Sequence, residues 1–212
     1  MVCEIVCKAS PRPSPEFIGL TLIAEVENNY EDYEPTKVSR LVQDFVINKL
    51  SNWHIRLSRR RFWKGEYNTD KVSAYQTLYE CLNKVAAISS PIAPFFMEQL
   101  YTDLNSVSGK YNADSIHLSS FPKSETNKID RDLEERMELA QHACSLILSL
   151  RKKEKIKVRQ PLQKIIVPLL NDAFGARLAA VTDLVLAEVN VKELDAIDGA
   201  AGVFEKVIKP NF

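Results

Sequence analysis

The chain has 212 residues, 45% hydrophobic and 26% charged, the composition of a globular protein able to bury one or two cores. Lysine plus arginine and aspartate plus glutamate both number 28, so a polyanion site must be a local basic patch on a neutral body. No apolar run approaches the roughly 20 residues of a membrane span, and Cys3, Cys7, Cys81 and Cys144 form no CxxC pair, which fits a reduced cytoplasmic protein that binds no metal.

Residues 1–17 carry Pro11, Pro13 and Pro15 among polar residues and read as a loose lead-in. Met1 to Cys7 is too brief for a signal peptide. From Ile18 to Asn29, Leu20, Ile23, Ala24 and then Tyr30 take helical spacing, and the Asn28 to Pro35 segment breaks it. Thr36 is the expected N-cap of a long helix. Its apolar stripe is Val38, Val42, Val46, Leu50, Trp53 and Leu57, the pattern of a buried face. Counted at roughly 100° per residue, Lys49, Asn52, Arg56, Arg59, Arg60 and Trp63 share a second face, basic and carrying one indole.

Guanidinium groups take phosphates bidentately and an indole offers a surface for an unstacked base, so this face suits single-stranded RNA. The same residues also fit a solvated surface, or arginines paired internally with acidic groups. A localisation signal fits less well, because the basic run continues an amphipathic helix.

Gly65 and the Asn68, Thr69, Asp70 cluster end that helix. A second follows with Val72, Tyr75, Leu78, Leu82, Val85 and Ile88 on one face. Ser90 with Pro91 reads as a cap, Pro94 resets the start, and Phe95, Met97, Leu100, Tyr101 and Leu104 line a third helix as core residues. Ser106 to Lys128 is a polar loop containing Gly109 and Pro122, with a domain boundary near its end.

Leu133, Met137, Ala140, Cys144, Ile147 and Arg151 mark a helix over Asp130 to Lys153, with Cys144 a small buried hydrophobe. Lys155, Lys157 and Arg159 then alternate with Ile156 and Val158, the pattern of an extended strand. Lys164 to Leu170 reads as a strand, Asp172 to Val189 as a helix with Phe174, Leu178, Val181, Val185 and Val189 inward, and Val203 to Lys209 as a second strand. The expected architecture is mainly α: an antiparallel helical bundle over 18–123, followed by a small α+β domain over 124–212.

Four stretches, L-S-N-W-H-I-R-L-S-R-R-R-F-W, S-P-I-A-P-F at Ser90, S-I-H-L-S-S-F-P at Ser115 and K-V-R-Q-P-L at Lys157, together resemble the C-terminal part of the isoleucyl-tRNA synthetases. The resemblance runs from about Tyr30 to Phe212 and includes the closing V-N-V-K-E-L and K-P-N-F, where that family's chain would continue, so a fragment is expected. N-W-x-x-R with R-x-R-F-W tilts it to isoleucine over valine or leucine, and to the subtype shared with eukaryotes.

The resemblance implies a helical bundle that grips the anticodon stem and loop of an isoleucine-accepting tRNA, followed by a small junction domain. Lys49, Arg56, Arg59 and Arg60 would hold phosphates, Trp63 and Asn52 would meet an exposed base, and Lys155, Lys157 and Arg159 would extend the track. The H-x-G-H signature, the K-M-S-K-S loop and the editing insertion are absent, and Lys37 to Arg40 echoes the lysine-serine loop only by chance. No catalytic residue and no cofactor is therefore expected here, ATP and Mg belonging to the catalytic domain of a parent enzyme. A valine or leucine synthetase portion, or a helical module for an acidic protein partner, are the alternatives.

Overall fold

The computed structural model describes residues 15–64, 66–124, 127, 129–169 and 171–198. They form two compact units divided between Arg131 and Asp132. Residues 1–14 of the lead-in expected over 1–17, and the strand expected over Val203–Lys209, lie outside the described residues.

The first unit contains α1 (Pro15–Glu31), α2 (Pro35–Asp44), a π-helix (Phe45–Ile55), α3 (Arg59–Trp63), α4 (Thr69–Ser89), α5 (Pro94–Ser108) and a 3₁₀ turn (Ile116–Leu118). Its core is built by Leu22, Ile23 and Val26 of α1, Val38 of α2, Phe45 and Leu50 of the π-helix, and Cys81, Val85 and Ile88 of α4. Tyr30 ties α1 to α4 by donating its hydroxyl to the Ile88 carbonyl at 2.9 Å, and burial pushes that phenol up to about 12. A smaller cluster of Ala86, Tyr101 and Ile116 joins α4, α5 and the 3₁₀ turn.

The second unit contains α6 (Arg131–Lys153) from its second residue on, β1 (Leu162–Leu169), α7 (Asp172–Val189) and β2 (Val191–Asp198). The strands are parallel, Leu162 pairing with Val191 and Leu169 with Asp198, so α7 is the crossover of a β-α-β unit. Its buried residues Leu178, Val181, Val185 and Val189 follow the helical period. Mainly α, with a small α+β part, is thus the observed class.

Several local expectations are corrected. The first described helix already includes Pro15, three residues before Ile18. Thr36 is not the N-cap: the helix starts one residue earlier at Pro35, with Glu34 in the capping position. The stretch from Thr36 to Lys64 is not one α-helix. It passes through eleven residues of π-helix and breaks at Ser58, whose φ of −89° and ψ of 3° interrupt the spiral. Ser90 closes α4 instead of opening the next helix, its hydroxyl donating to the Ala87 carbonyl at 3.0 Å.

Phe95 and Phe96 are 91% and 68% exposed, so Phe95 is not a core residue. Once α5 starts at Pro94, the inward stripe is Met97, Leu100, Tyr101 and Leu104, and Phe95 stands two positions from Met97, on the far side of the helix. Tyr75 is 44% exposed, although its ring meets Phe62 edge-on at 5.2 Å.

The alternating stretch from Lys155 to Arg159 is not a strand. Lys155 adopts a left-handed conformation, φ 56°, the Ile156 N–H donates to the Arg151 carbonyl at 2.8 Å, and the Lys155 N–H donates to Lys152 at 3.2 Å. Those two bonds are the Schellman ending of α6, which turns the chain before any extended pairing can form. The parallel partner of β1 is instead Val191–Asp198, a strand not expected from sequence.

Candidate nucleic-acid interface

The basic tract lies on the first unit. Arg59, Arg60 and Trp63 sit on the short helix α3, and Trp63 follows Arg59 by four residues and Arg60 by three, so the indole is a surface neighbour of both guanidinium groups. All three are exposed, Trp63 at 80%. Among the described residues neither Arg59 nor Arg60 has an ion pair or hydrogen-bond partner on its side chain.

Arg61 has a different role. Its Nε and Nη2 donate to the two carboxylate oxygens of Asp70 at 2.9 and 2.6 Å, and Nη2 also reaches the Asp70 carbonyl at 3.3 Å. This fork joins α3 to the first turn of α4, where Asp70 also opposes the positive helix terminus. Internal pairing therefore accounts for one of the three consecutive arginines. Phe62 is buried beneath them, and the Tyr75 hydroxyl donates to its carbonyl at 3.1 Å. The backbone that presents Trp63 is thus held from below by α4.

The single face drawn from Lys49 to Trp63 is not kept. In a π-helix each bond closes one residue later than in an α-helix, so the angular step per residue shrinks and the register of faces slips. Asn52 lies exposed on the π-helix, Arg56 is exposed just beyond it, and Lys49 is half-buried. Lys49 and Arg56 each already interact within the fold.

His54 lies in the same tract. Its Nε2 is buried with no hydrogen-bond partner in the structure, and burial, reinforced by the Arg61 guanidinium, lowers its pKa from 6.5 to about 4. At neutral pH it is an uncharged packing residue.

Lys64 and Tyr67, not named as site residues from the sequence, are also exposed beside this tract, the ring at 77%. A tyrosine in the polar run between two helical periods belongs to no apolar stripe, and that was the available signal.

Lys155, Lys157 and Arg159 belong to the second unit, where all three are exposed on the turn that follows α6. Among the described residues none of them has an acidic partner. Two side chains organise that turn. Arg151, 3% exposed, donates through Nη1 to the carbonyls of Lys157 at 3.2 Å and Gln160 at 3.0 Å, and through Nη2 to that of Asn190 at 2.9 Å. Asn190 donates through Nδ2 to the carbonyls of Val158 at 2.9 Å and Arg159 at 3.2 Å.

No group of three or more histidine, cysteine, aspartate or glutamate side chains able to hold a metal occurs among the described residues. Cys81 and Cys144 are buried free thiols. No helix among those residues is long and apolar enough to cross a membrane.

Comparison with known proteins assigns the chain to a family. A family model described as the anticodon-binding domain of tRNA ligase matches residues 21–166. An isoleucine–tRNA ligase of Cytophaga hutchinsonii is 53% identical over 192 residues, 91% of this chain and 17% of that protein. One of Bacteroides thetaiotaomicron is 52% identical over 91% of this chain, and one of Thermoplasma volcanium 40% over 82%. The chain spans 16 to 17% of the length of these relatives. On the family match and these identities, the chain belongs to the anticodon-binding domain family of tRNA ligases.

Proposed function

We propose that this chain binds the anticodon stem and loop of an isoleucine-accepting tRNA on behalf of an isoleucine–tRNA ligase, supplying recognition and no chemistry. The observation that carries the reading is Trp63, 80% exposed beside Arg59 and Arg60. A large apolar ring held in water between two cations is poorly placed for folding and well placed for a nucleic acid. Arg59 and Arg60, with Lys49 and Arg56, take backbone phosphates and set the register, while Trp63 stacks on an unpaired base and Asn52 offers its amide to a base edge. Lys155, Lys157 and Arg159 take further phosphates from the second unit.

ATP and Mg would act in the catalytic domain of the parent enzyme, which is the chain's other partner in this reading, in the cytoplasm. The 212 residues contain neither H-x-G-H nor K-M-S-K-S.

The test is fluorescence-anisotropy binding of isoleucine, valine and leucine tRNA transcripts to the chain across a salt series. The reading expects preference for the isoleucine species and a log-linear fall of affinity with salt, each phosphate contact adding about 0.7 to 0.9 to the slope. Equal binding of all three would move the assignment to the wider class. Absence of binding at low salt would overturn it.

A further inference from the structure

We infer that the turn from Glu154 to Gln160 is a preformed phosphate-binding loop, and that Arg151 and Asn190 are its positioning residues, acting on the RNA only through the loop. The inference rests on the RNA-binding reading above and assigns a role to two residues that reading does not use.

The argument starts from the backbone. A loop is a poor anion site when its carbonyl oxygens face the ligand, because their partial negative charge opposes phosphate. Here the four consecutive carbonyls of Lys157, Val158, Arg159 and Gln160 are all drawn inward, the outer two onto Arg151 and the inner two onto Asn190. What the loop presents outward is then Lys155, Lys157 and Arg159, all exposed.

Each clamp is itself fixed. Arg151 is buried on the last turn of α6, where its charge also favours the helix C-terminus, and its third bond goes to the Asn190 carbonyl. Asn190 ends α7 in a left-handed conformation, φ 53°, and its carbonyl also accepts the Leu162 N–H at 3.2 Å, at the head of β1. The loop is thereby fastened to both helices and to the start of the sheet. Arg151 is a buried cation held by backbone carbonyls alone, with its Nε unbonded and no carboxylate bonded to it among the described residues, and this needs a reason, because burying a charge is unfavourable unless it is fully bonded. Fixing a cationic loop before RNA arrives is such a reason, since ordering it on binding would weaken affinity.

The experiment uses the full chain and an isoleucine tRNA transcript. Lys157→Gln with Arg159→Gln removes two charges and should lower the salt slope by about 1.5. Asn190→Gly keeps the left-handed helix end and every charge, and removes only the two bonds to the loop. It should weaken binding by about three- to tenfold with the melting transition retained, and add nothing when combined with the charge variant. Arg151→Met, which is expected to weaken folding of the second unit as well, is read alongside it by amide exchange at residues 156–160.

If the wild-type chain binds no tRNA, the RNA-binding reading fails and this inference with it. If it binds and the charge variant matches wild type, the loop is not a phosphate site. If the charge variant weakens binding and Asn190→Gly does not, or if the two effects are additive, the clamp is purely structural.

Discussion

Trp63→Ala separates a ring that serves RNA from a ring that serves the fold. A tryptophan side chain offers up to about 250 Å² for burial. With Trp63 80% exposed, roughly 50 Å² of it leaves water on folding, which at about 25 cal/mol per Å² is an upper limit near 1 kcal/mol. The same truncation at Trp53, 7% exposed in the bundle, removes nearly the whole ring and leaves a cavity, for which about 3 to 5 kcal/mol is expected. Stacking on one base is worth about 1 to 3 kcal/mol, or roughly five- to 150-fold in affinity.

Trp63→Ala should therefore weaken tRNA binding by that factor while the melting temperature moves by a few degrees at most, and Trp63→Phe should keep much of the binding. Trp53→Ala should lower the melting temperature first. Thermal denaturation and anisotropy titrations on one set of variants decide the matter. If Trp63→Ala unfolds the protein, or leaves affinity untouched, the exposed ring is not a base platform and the reasoning fails.

Arg59→Ala with Arg60→Ala should reduce tRNA affinity and the salt slope together, and change stability by no more than about 0.5 kcal/mol, since both side chains are exposed. A stability loss well beyond that, seen in urea melts, would place them in the fold. Asp70→Asn breaks the ionic fork with Arg61; because Asp70 is 56% exposed, about 0.5 to 1 kcal/mol should be lost at low salt and less at high salt. His54 gives a pH signature. Its pKa is lowered to about 4, so between pH 6.5 and 4 the unfolded chain takes up a proton that the folded chain does not. Stability should then fall by about 2 to 3 kcal/mol as pH drops through that window. His54→Gln should flatten this part of the urea-midpoint profile, and an unchanged slope would assign the loss to other groups.

The helices were legible where one period ran unbroken. Asp172–Val189 was expected with the bounds it has, because Leu178, Val181, Val185 and Val189 repeat on one face between an asparagine cap and an asparagine end. The candidate site was legible in kind for a similar reason: two arginines and an exposed tryptophan within five residues are brought together by any helix, whatever surrounds it. Which of three consecutive arginines would be paired was not. Arg61 is bound because Asp70, nine residues on, is carried back to it by the packing of α4 on α3.

The pairing of Val191–Asp198 with β1 was decided only by tertiary structure, and the π-helix and the αL turn at Lys155 were not legible in the sequence period. Alternation over Lys155 to Arg159 satisfies the period of a strand, but a strand needs a neighbour for its backbone groups. Here Arg151 and Asn190 take the carbonyls first, one from six residues away and the other from more than thirty. Local period states what a segment can be; the partners that arrive from distant parts of the chain select which of those forms leaves no buried polar group unmet.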